Sequence, residues 1–497
     1  MLTMPKRLAL ALAAGSISYF AYPQPNFWPA IFVSVAGLLV SIRGLGVLKA
    51  FGVSLVGGAA FYASQIYWIS QYLGPEPLIA LAGLEAVIFA LGMSLIALAY
   101  KLVQNRLCLA FFVASIWTGR EWVSTHYPYG GFPWSRIAMS QADSPLASWV
   151  AVGGFGLLSF VVIFITQIAL DFRFALHRSA KIFTAIAVLT VFLVPVILSG
   201  IPTNSSGSLR IAGVQGNANA GLFANEVRGT ILSNHLAATK MLLNSKTKFD
   251  LVVWPENASD ENPRYYVEAN LALRNLVDNE LKEPLIFGTI SADGNKFFNS
   301  SILWKPGVGQ VDRYDKKRPV PFGEYVPDRK FFYSIAPDLV GLISWGYSFG
   351  SRDGIFNIKD HKAGILICFE EAIDELPRDV VNQGAEYIVA QTNNADFGHS
   401  DESVQQLAIA RLRAIETGRS IVSISTVGPS AIIDPKGKVI AGTTAYKRDF
   451  IVANVPLSKS KTLTMLGGWM FDPTTAIVSV LFALYGIISS LRRKRAS

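Results

Sequence analysis

Gly364-Ile365-Leu366-Ile367-Cys368-Phe369-Glu370-Glu371 is a short apolar run that ends in a thiol and two carboxylates. An apolar run of this length reads as a buried strand. Its cysteine then falls where the strand runs out, which is where open α/β sheets gather their chemistry. The chain holds only two cysteines, and Cys108 lies inside an apolar, helix-like segment. A lone thiol becomes a nucleophile only with a base beside it, and the oxyanion it creates needs a donor. Two other stretches supply candidates: Trp254-Pro255-Glu256, which closes the apolar run from Phe249, and Tyr314-Asp315-Lys316.

Outward from this strand the chain alternates. Strand-like runs at 209–217, 249–256, 284–291, 364–369, 387–392, 419–425 and 430–434 are interleaved with helical stretches at roughly 224–244, 263–280 and 401–417. Alternation of this kind predicts a layered α/β domain. Lys316 lies in a different setting, the loop Tyr314–Pro327, which carries three prolines, one glycine and a further carboxylate, Glu324.

The remainder is of another character. Only 16% of the 497 residues are charged, against about 25% in ordinary soluble domains. Apolar segments at roughly 8–22, 27–42, 50–72, 77–100, 107–124, 147–170, 182–200 and 474–491 account for the deficit. Each is near the ~20 residues a helix needs to cross a bilayer. Lys6, Arg7, Arg43, Lys49, Lys101, Arg106, Arg173, Arg178, Lys181 and the Arg492–Arg495 tail all fall on one side of such a bundle, while the opposite loops carry little beyond Arg136. That asymmetry puts both termini in the cytoplasm and roughly 201–473 outside it. The first segment also fits a signal peptide, and cleavage would leave the later orientation unchanged. The net charge of +9 is explained by these flanks, so nucleic acid is excluded as a partner. Two isolated cysteines exclude a zinc pattern.

Two membrane-side features invite function. The external stretch Tyr127-Pro128-Tyr129-Gly130-Gly131-Phe132-Pro133-Trp134-Ser135-Arg136 reads as an interfacial aromatic belt or as a platform for lipid entry. Arg120 and Glu121 are ionisable groups at membrane depth, either a pair that fixes their helix or a functional site. The stretch 331–350, apolar and glycine-punctuated, reads as a loop dipping toward lipid or as a packed insertion.

Glu256, Lys316 and Cys368, in this order and context, resemble the carbon–nitrogen hydrolase (nitrilase) superfamily over about 205–456. With the membrane helices around them, and with Val214-Gln215-Gly216-Asn217 and Val320–Pro327, the chain is similar to the apolipoprotein N-acyltransferase family. The resemblance implies a helical membrane bundle of about eight transmembrane helices plus an extracytoplasmic α/β αββα sandwich. It implies three regions: 1–204 with seven helices, 205–460 catalytic, and 461–497 with the last helix and a basic tail. It implies a Glu256–Lys316–Cys368 triad with Glu324 and Glu370 supporting it, and substrate contacts from Phe369, Phe223 and Trp345. The implied activity moves an acyl chain from a membrane phospholipid, through a thioester on the cysteine, to the N-terminal amine of a diacylglyceryl-cysteine apolipoprotein. No cofactor or metal is expected. A multi-pass monomer of the bacterial inner membrane is. A membrane-bound amidase and a non-catalytic scaffold are the alternatives. Phe369 stands where the family often has Tyr, and Phe223 is the nearest substitute for a Trp that is absent after Asn217.

Overall fold

The computed structural model describes residues 2–172, 189, 193–194, 205–221, 224–225, 227–343 and 346–496. The chain divides into two compact units, one formed by 1–202 with 462–497 and the other by 203–461.

The first unit is helical. Among the described residues, four helices are long and apolar enough to cross a membrane: Val47–Gln65, Pro75–Leu102, Ala147–Asp171 and Gly468–Arg492. The first two expected segments form shorter helices, Met4–Ile17 and Ala30–Ile42, and 107–124 forms Arg106–Ser124. The segment expected at 182–200 lies outside the described residues, apart from residues 189, 193 and 194. Arg136 does not lie on a loop surface. It is 2% exposed and pairs with Asp472 at 2.5 Å, tying the last helix to the others. A Cβ at Gly156 would overlap the Asp472 carboxylate, so that position has room only for glycine. Arg120 is buried with its guanidinium 4.8 Å from the ring centre of Phe89 and 5.0 Å from that of Trp117. It donates to the Tyr62 hydroxyl, and Glu121 lies 3.7 Å away. Helix 150–172 breaks its ladder at Gly153–Gly154, where Thr464 Oγ1 accepts from Gly154 N and donates to Val150 O. A kink with freed backbone groups persists where a side chain satisfies them.

Among the described residues, the second unit contains twelve strands in two six-stranded sheets. The first sheet has β1 (Ser205–Gln215), β2 (Leu251–Val253), β3 (Leu285–Asp293), β4 (Lys296–Lys305), β5 (Gly309–Asp315) and β12 (Asp449–Ser458), in the order β12-β1-β2-β3-β4-β5. The second has β6 (Ile355–Ile358), β7 (His361–Ile367), β8 (Tyr387–Thr392), β9 (Ser420–Ser425), β10 (Ala431–Ile433) and β11 (Val439–Gly442), in the order β11-β10-β9-β8-β7-β6. β1, β2 and β3 run parallel, as do β7, β8 and β9.

Strand alternation builds the layers. Successive side chains point to opposite faces. Ile211, Leu251 and Val253 of the first sheet enter a shared core with Ile365, Ile367, Val389 and Val422 of the second. Their neighbours Ala212, Val252 and Trp254 point the other way, onto Leu232, Ala238 and Leu242 of helix Thr230–Asn244 and onto Leu273 and Val277. The second sheet carries helices Glu375–Asn382 and Glu402–Thr417. This is an αββα arrangement. Each fully buried aliphatic side chain contributes about 1.5–3 kcal/mol of transfer free energy, so the dry inter-sheet layer dominates the adhesion of the halves.

The helix expected from 224 begins only at Thr230. Gly229 turns with φ 82°, and the Asp260 carboxylate, from a distant loop, accepts from the N–H groups of Gly229 and Leu232 at 2.7 and 2.9 Å. Orphan N–H groups at a helix start need such acceptors, and here the acceptor is not local. The expected helix 263–280 is shorter and irregular, α-helical over Val267–Arg274 and π-helical over Asn275–Leu281.

Candidate active site

Three strands deliver the candidate residues to one end of the sandwich. Glu256 follows β2, Lys316 follows β5 and Cys368 follows β7. Gly288 of β3 lies against the turn that carries Glu256. A Cβ there would come within 2.5 Å of Asn257 N and 2.6 Å of Glu256 Cα.

Lys316 is 1% exposed. Burying an ammonium costs several kcal/mol unless it is paired. Its Nζ lies 2.9 Å from Glu324 Oε2 and 3.6 Å from Glu256 Oε1. Burial alone would lower the ammonium, but Glu324 and then Glu256 outweigh it, and the net displacement is upward. Lys316 is therefore a permanent cation. Asn299 bridges the two carboxylates, donating from one amide nitrogen to Glu256 Oε1 at 2.6 Å and Glu324 Oε1 at 2.8 Å. Glu324 also accepts from Val320 N at 2.7 Å, which closes its proline-rich loop. Burial pushes the Glu256 carboxyl up against the opposing pull of Lys316, as suits a group that must take a proton.

Cys368 sits at φ 53°. A side chain other than glycine in this left-handed region costs on the order of 1–3 kcal/mol, and such strain persists only where the surroundings impose it. Glu370 imposes it. Its Oε2 accepts from Ile367 N at 2.9 Å, and its Oε1 accepts from Lys317 N at 2.7 Å and Arg318 N at 3.2 Å. The Tyr314 hydroxyl reaches both oxygens. One carboxyl thus clamps the peptide before Cys368 to the peptides after Lys316. Its pKa is raised to about 7, by burial first. The Cys368 thiol is pushed well above its ordinary value by burial and then by Glu256, while Lys316 pulls it down. The resting sulfur is a thiol within the field of both partners.

Glu371, the second carboxylate after the cysteine, is 1% exposed, and neither of its oxygens has a hydrogen-bond partner among the described residues. Phe369 is 8% exposed beside the nucleophile. Phe223 and Trp345 lie outside the described residues. His399 stacks on Tyr446, with centroids 4.0 Å apart. Sequence reasoning missed Asn299, Asn394, Glu402 and Gln406. Asn299-Ser300-Ser301 is a polar triplet inside the run Phe297–Trp304, the one signal that could have marked Asn299.

Residues 14–168 match the apolipoprotein N-acyltransferase N-terminal domain, and 210–464 match the carbon–nitrogen hydrolase family. An apolipoprotein N-acyltransferase of Aquifex aeolicus is 30% identical, over 88% of this chain and 95% of the relative. The chain belongs to the apolipoprotein N-acyltransferase family. Another member, from Mycolicibacterium smegmatis, is 28% identical over 99% of this chain and 88% of its own length. Among solved structures, a nitrilase-superfamily protein of Saccharomyces cerevisiae is 19% identical, covering 51% of this chain and 91% of its own, with a TM-score of 0.40. As in the family, the second unit has a nitrilase-like fold with two sheets.

Proposed function

We propose that this protein transfers an acyl chain from a membrane phospholipid to the N-terminal amine of a diacylglyceryl-cysteine apolipoprotein, by way of a thioester on Cys368. The observation that carries the reading is the buried Lys316 ammonium held between Glu256 and Glu324 with the strained Cys368 in its field. Family membership supports the same reaction.

Glu256 takes the proton from Cys368 Sγ, and the thiolate attacks the ester carbonyl. The charge that develops on the carbonyl oxygen is stabilised by the Lys316 ammonium. The tetrahedral adduct collapses by breaking the bond to the glycerol oxygen, which leaves as lysophospholipid with the proton from Glu256. The apolipoprotein amine then attacks the thioester and loses a proton to Glu256. Breaking the C–S bond leaves an amide, and the departing Cys368 sulfur takes the proton back from Glu256, restoring the resting thiol. The thioester conserves acyl-transfer potential, so neither ATP nor a metal is required. Glu324 and Glu370 are positioning residues. Phe369 is assigned to substrate contact, and the same expectation for Phe223 and Trp345 falls outside the described residues.

In this reading about eight helices span the bacterial inner membrane, seven in 1–204 and one in 461–497. The chain acts as a monomer with both termini cytoplasmic and 205–460 outside. The one-sided Lys and Arg flanks support this orientation. The test is intact-mass analysis after incubation with phospholipid. Wild type is expected to gain one acyl mass, labile to hydroxylamine, and Cys368→Ala none. An unmodified wild type, or an acylated Cys368→Ala protein, refutes the proposal.

A further inference from the structure

A hydrogen-bonded chain of side chains that includes neither Lys316 nor Glu256 runs into the sulfur. Gln406, on helix Glu402–Thr417, places Nε2 3.9 Å from Cys368 Sγ. Its Oε1 accepts from Asn394 Nδ2 at 2.8 Å, and the same nitrogen donates to Glu402 Oε2 at 2.6 Å. Asn394 Oδ1 accepts from the hydroxyls of Thr392 and Ser425. Gln406, Asn394 and Glu402 are each 3% exposed.

These partners fix the sense of every amide. The Glu402 carboxylate, an acceptor, turns the Asn394 nitrogen toward Glu402 and Gln406, and the Thr392 and Ser425 hydroxyls then donate to its oxygen. Gln406 must then turn its oxygen to Asn394, and its N–H groups face the sulfur. Reversal would set two donors against each other in a buried space, at the cost of an unsatisfied polar group.

We propose that Gln406 is a further catalytic residue, an N–H donor that stabilises the Cys368 thiolate, and that Asn394 and Glu402 are the positioning residues that orient it. The inference rests on Cys368 being the nucleophile. A neutral sulfur accepts weakly, and a thiolate strongly. The donor therefore acts most on the ionised form, the form that attacks. It complements Lys316, whose ammonium is shared with Glu324 at 2.9 Å and Glu256 at 3.6 Å. The charged or titratable groups that bear on the sulfur are Glu256, Lys316, Glu402 and Glu324. Gln406 adds a donor that does not titrate.

The test is the pH dependence of iodoacetamide alkylation of Cys368 in the full chain, followed by peptide mass. It is done in a Cys108→Ser background because Cys108 is exposed. Gln406→Met, which removes the donor at similar volume, is expected to raise the apparent thiol pKa by about half to one unit and slow alkylation at pH 7 about three- to tenfold, the scale of one net hydrogen bond. Glu402→Gln keeps an acceptor for Asn394 and stays within about twofold, whereas Glu402→Leu behaves like Gln406→Met. Gln406→Glu, which keeps the acceptor and removes the donor, is the second reading should the Met variant melt early. An unchanged alkylation profile in the folded Gln406 variants overturns the proposal. Equal effects of both Glu402 variants overturn the relay. Acyl capture from phospholipid by the parent chain is scored separately, so that loss of the Cys368 reading is distinguished from loss of the Gln406 role.

Discussion

Replacing Glu370 by Gln tests whether one carboxyl holds the two catalytic arms together. The wild-type group presents oxygens in two directions, Oε2 to Ile367 N and Oε1 to Lys317 N and Arg318 N. Glutamine has one such oxygen. The cheaper orientation keeps the pair at 317 and 318 and points an NH2 group at the Ile367 N–H. One buried donor is then unsatisfied, at about 1–3 kcal/mol. A loss of this size lowers the melting temperature by roughly 2–10 °C for a unit of this length. The same change frees the peptide that holds Cys368 in its left-handed conformation, and a displacement of about 1 Å at a reacting atom costs on the order of a hundredfold in rate. Thioester formation from phospholipid, followed by mass at pH 8, is expected to slow about 10- to 100-fold. The difference narrows below pH 7, because the wild-type carboxyl, with its pKa raised to about 7, then takes up a proton and itself loses an acceptor. Wild-type melting and an unchanged acylation rate at pH 8 would refute the clamp.

Two further perturbations separate geometry from charge. Gly288→Ala drives a Cβ into the backbone of Glu256 and Asn257. It is expected to cost about 1–3 kcal/mol in melting and to slow acylation at least tenfold, and a silent variant would show that the Glu256 turn is adaptable. Glu371 has its carboxyl raised to about 8, by burial and then by Glu402. Between about pH 4.5 and 8 the folded chain therefore holds a proton that the unfolded chain releases, so stability falls as pH rises through this window. Glu371→Gln is expected to match wild type at pH 5, to melt several degrees higher at pH 8 to 9, and to show a flatter melting profile. A parallel profile sinks the assignment.

The strand-end positions of Glu256 and Cys368 were legible because Leu251–Val253 and Gly364–Ile367 are unbroken apolar runs buried on both faces, and such runs look the same in the chain as in the sheet. The hairpin β4–β5 was not legible. Asn299, Ser300 and Ser301 interrupt its apolar pattern because Asn299 faces the site and bridges carboxylates, while Ser300, on the other face, donates to Asp315. The start of helix Thr230–Asn244 escaped for a different reason, since its cap comes from Asp260 and no local pattern announces it. Gln406 and Glu402 read as the polar face of an amphipathic helix. Only the packed second sheet reveals that this face is turned inward.

Glu256 and Lys316 follow strands of one sheet and Cys368 a strand of the other, and the layer between the sheets is apolar and interlocked. The two halves of the sandwich thus cannot slip by even one residue and leave a partly competent centre. Heating should abolish thiol reactivity and tertiary structure on a single curve, with no warm, loosened species that hydrolyses lipid without passing it on.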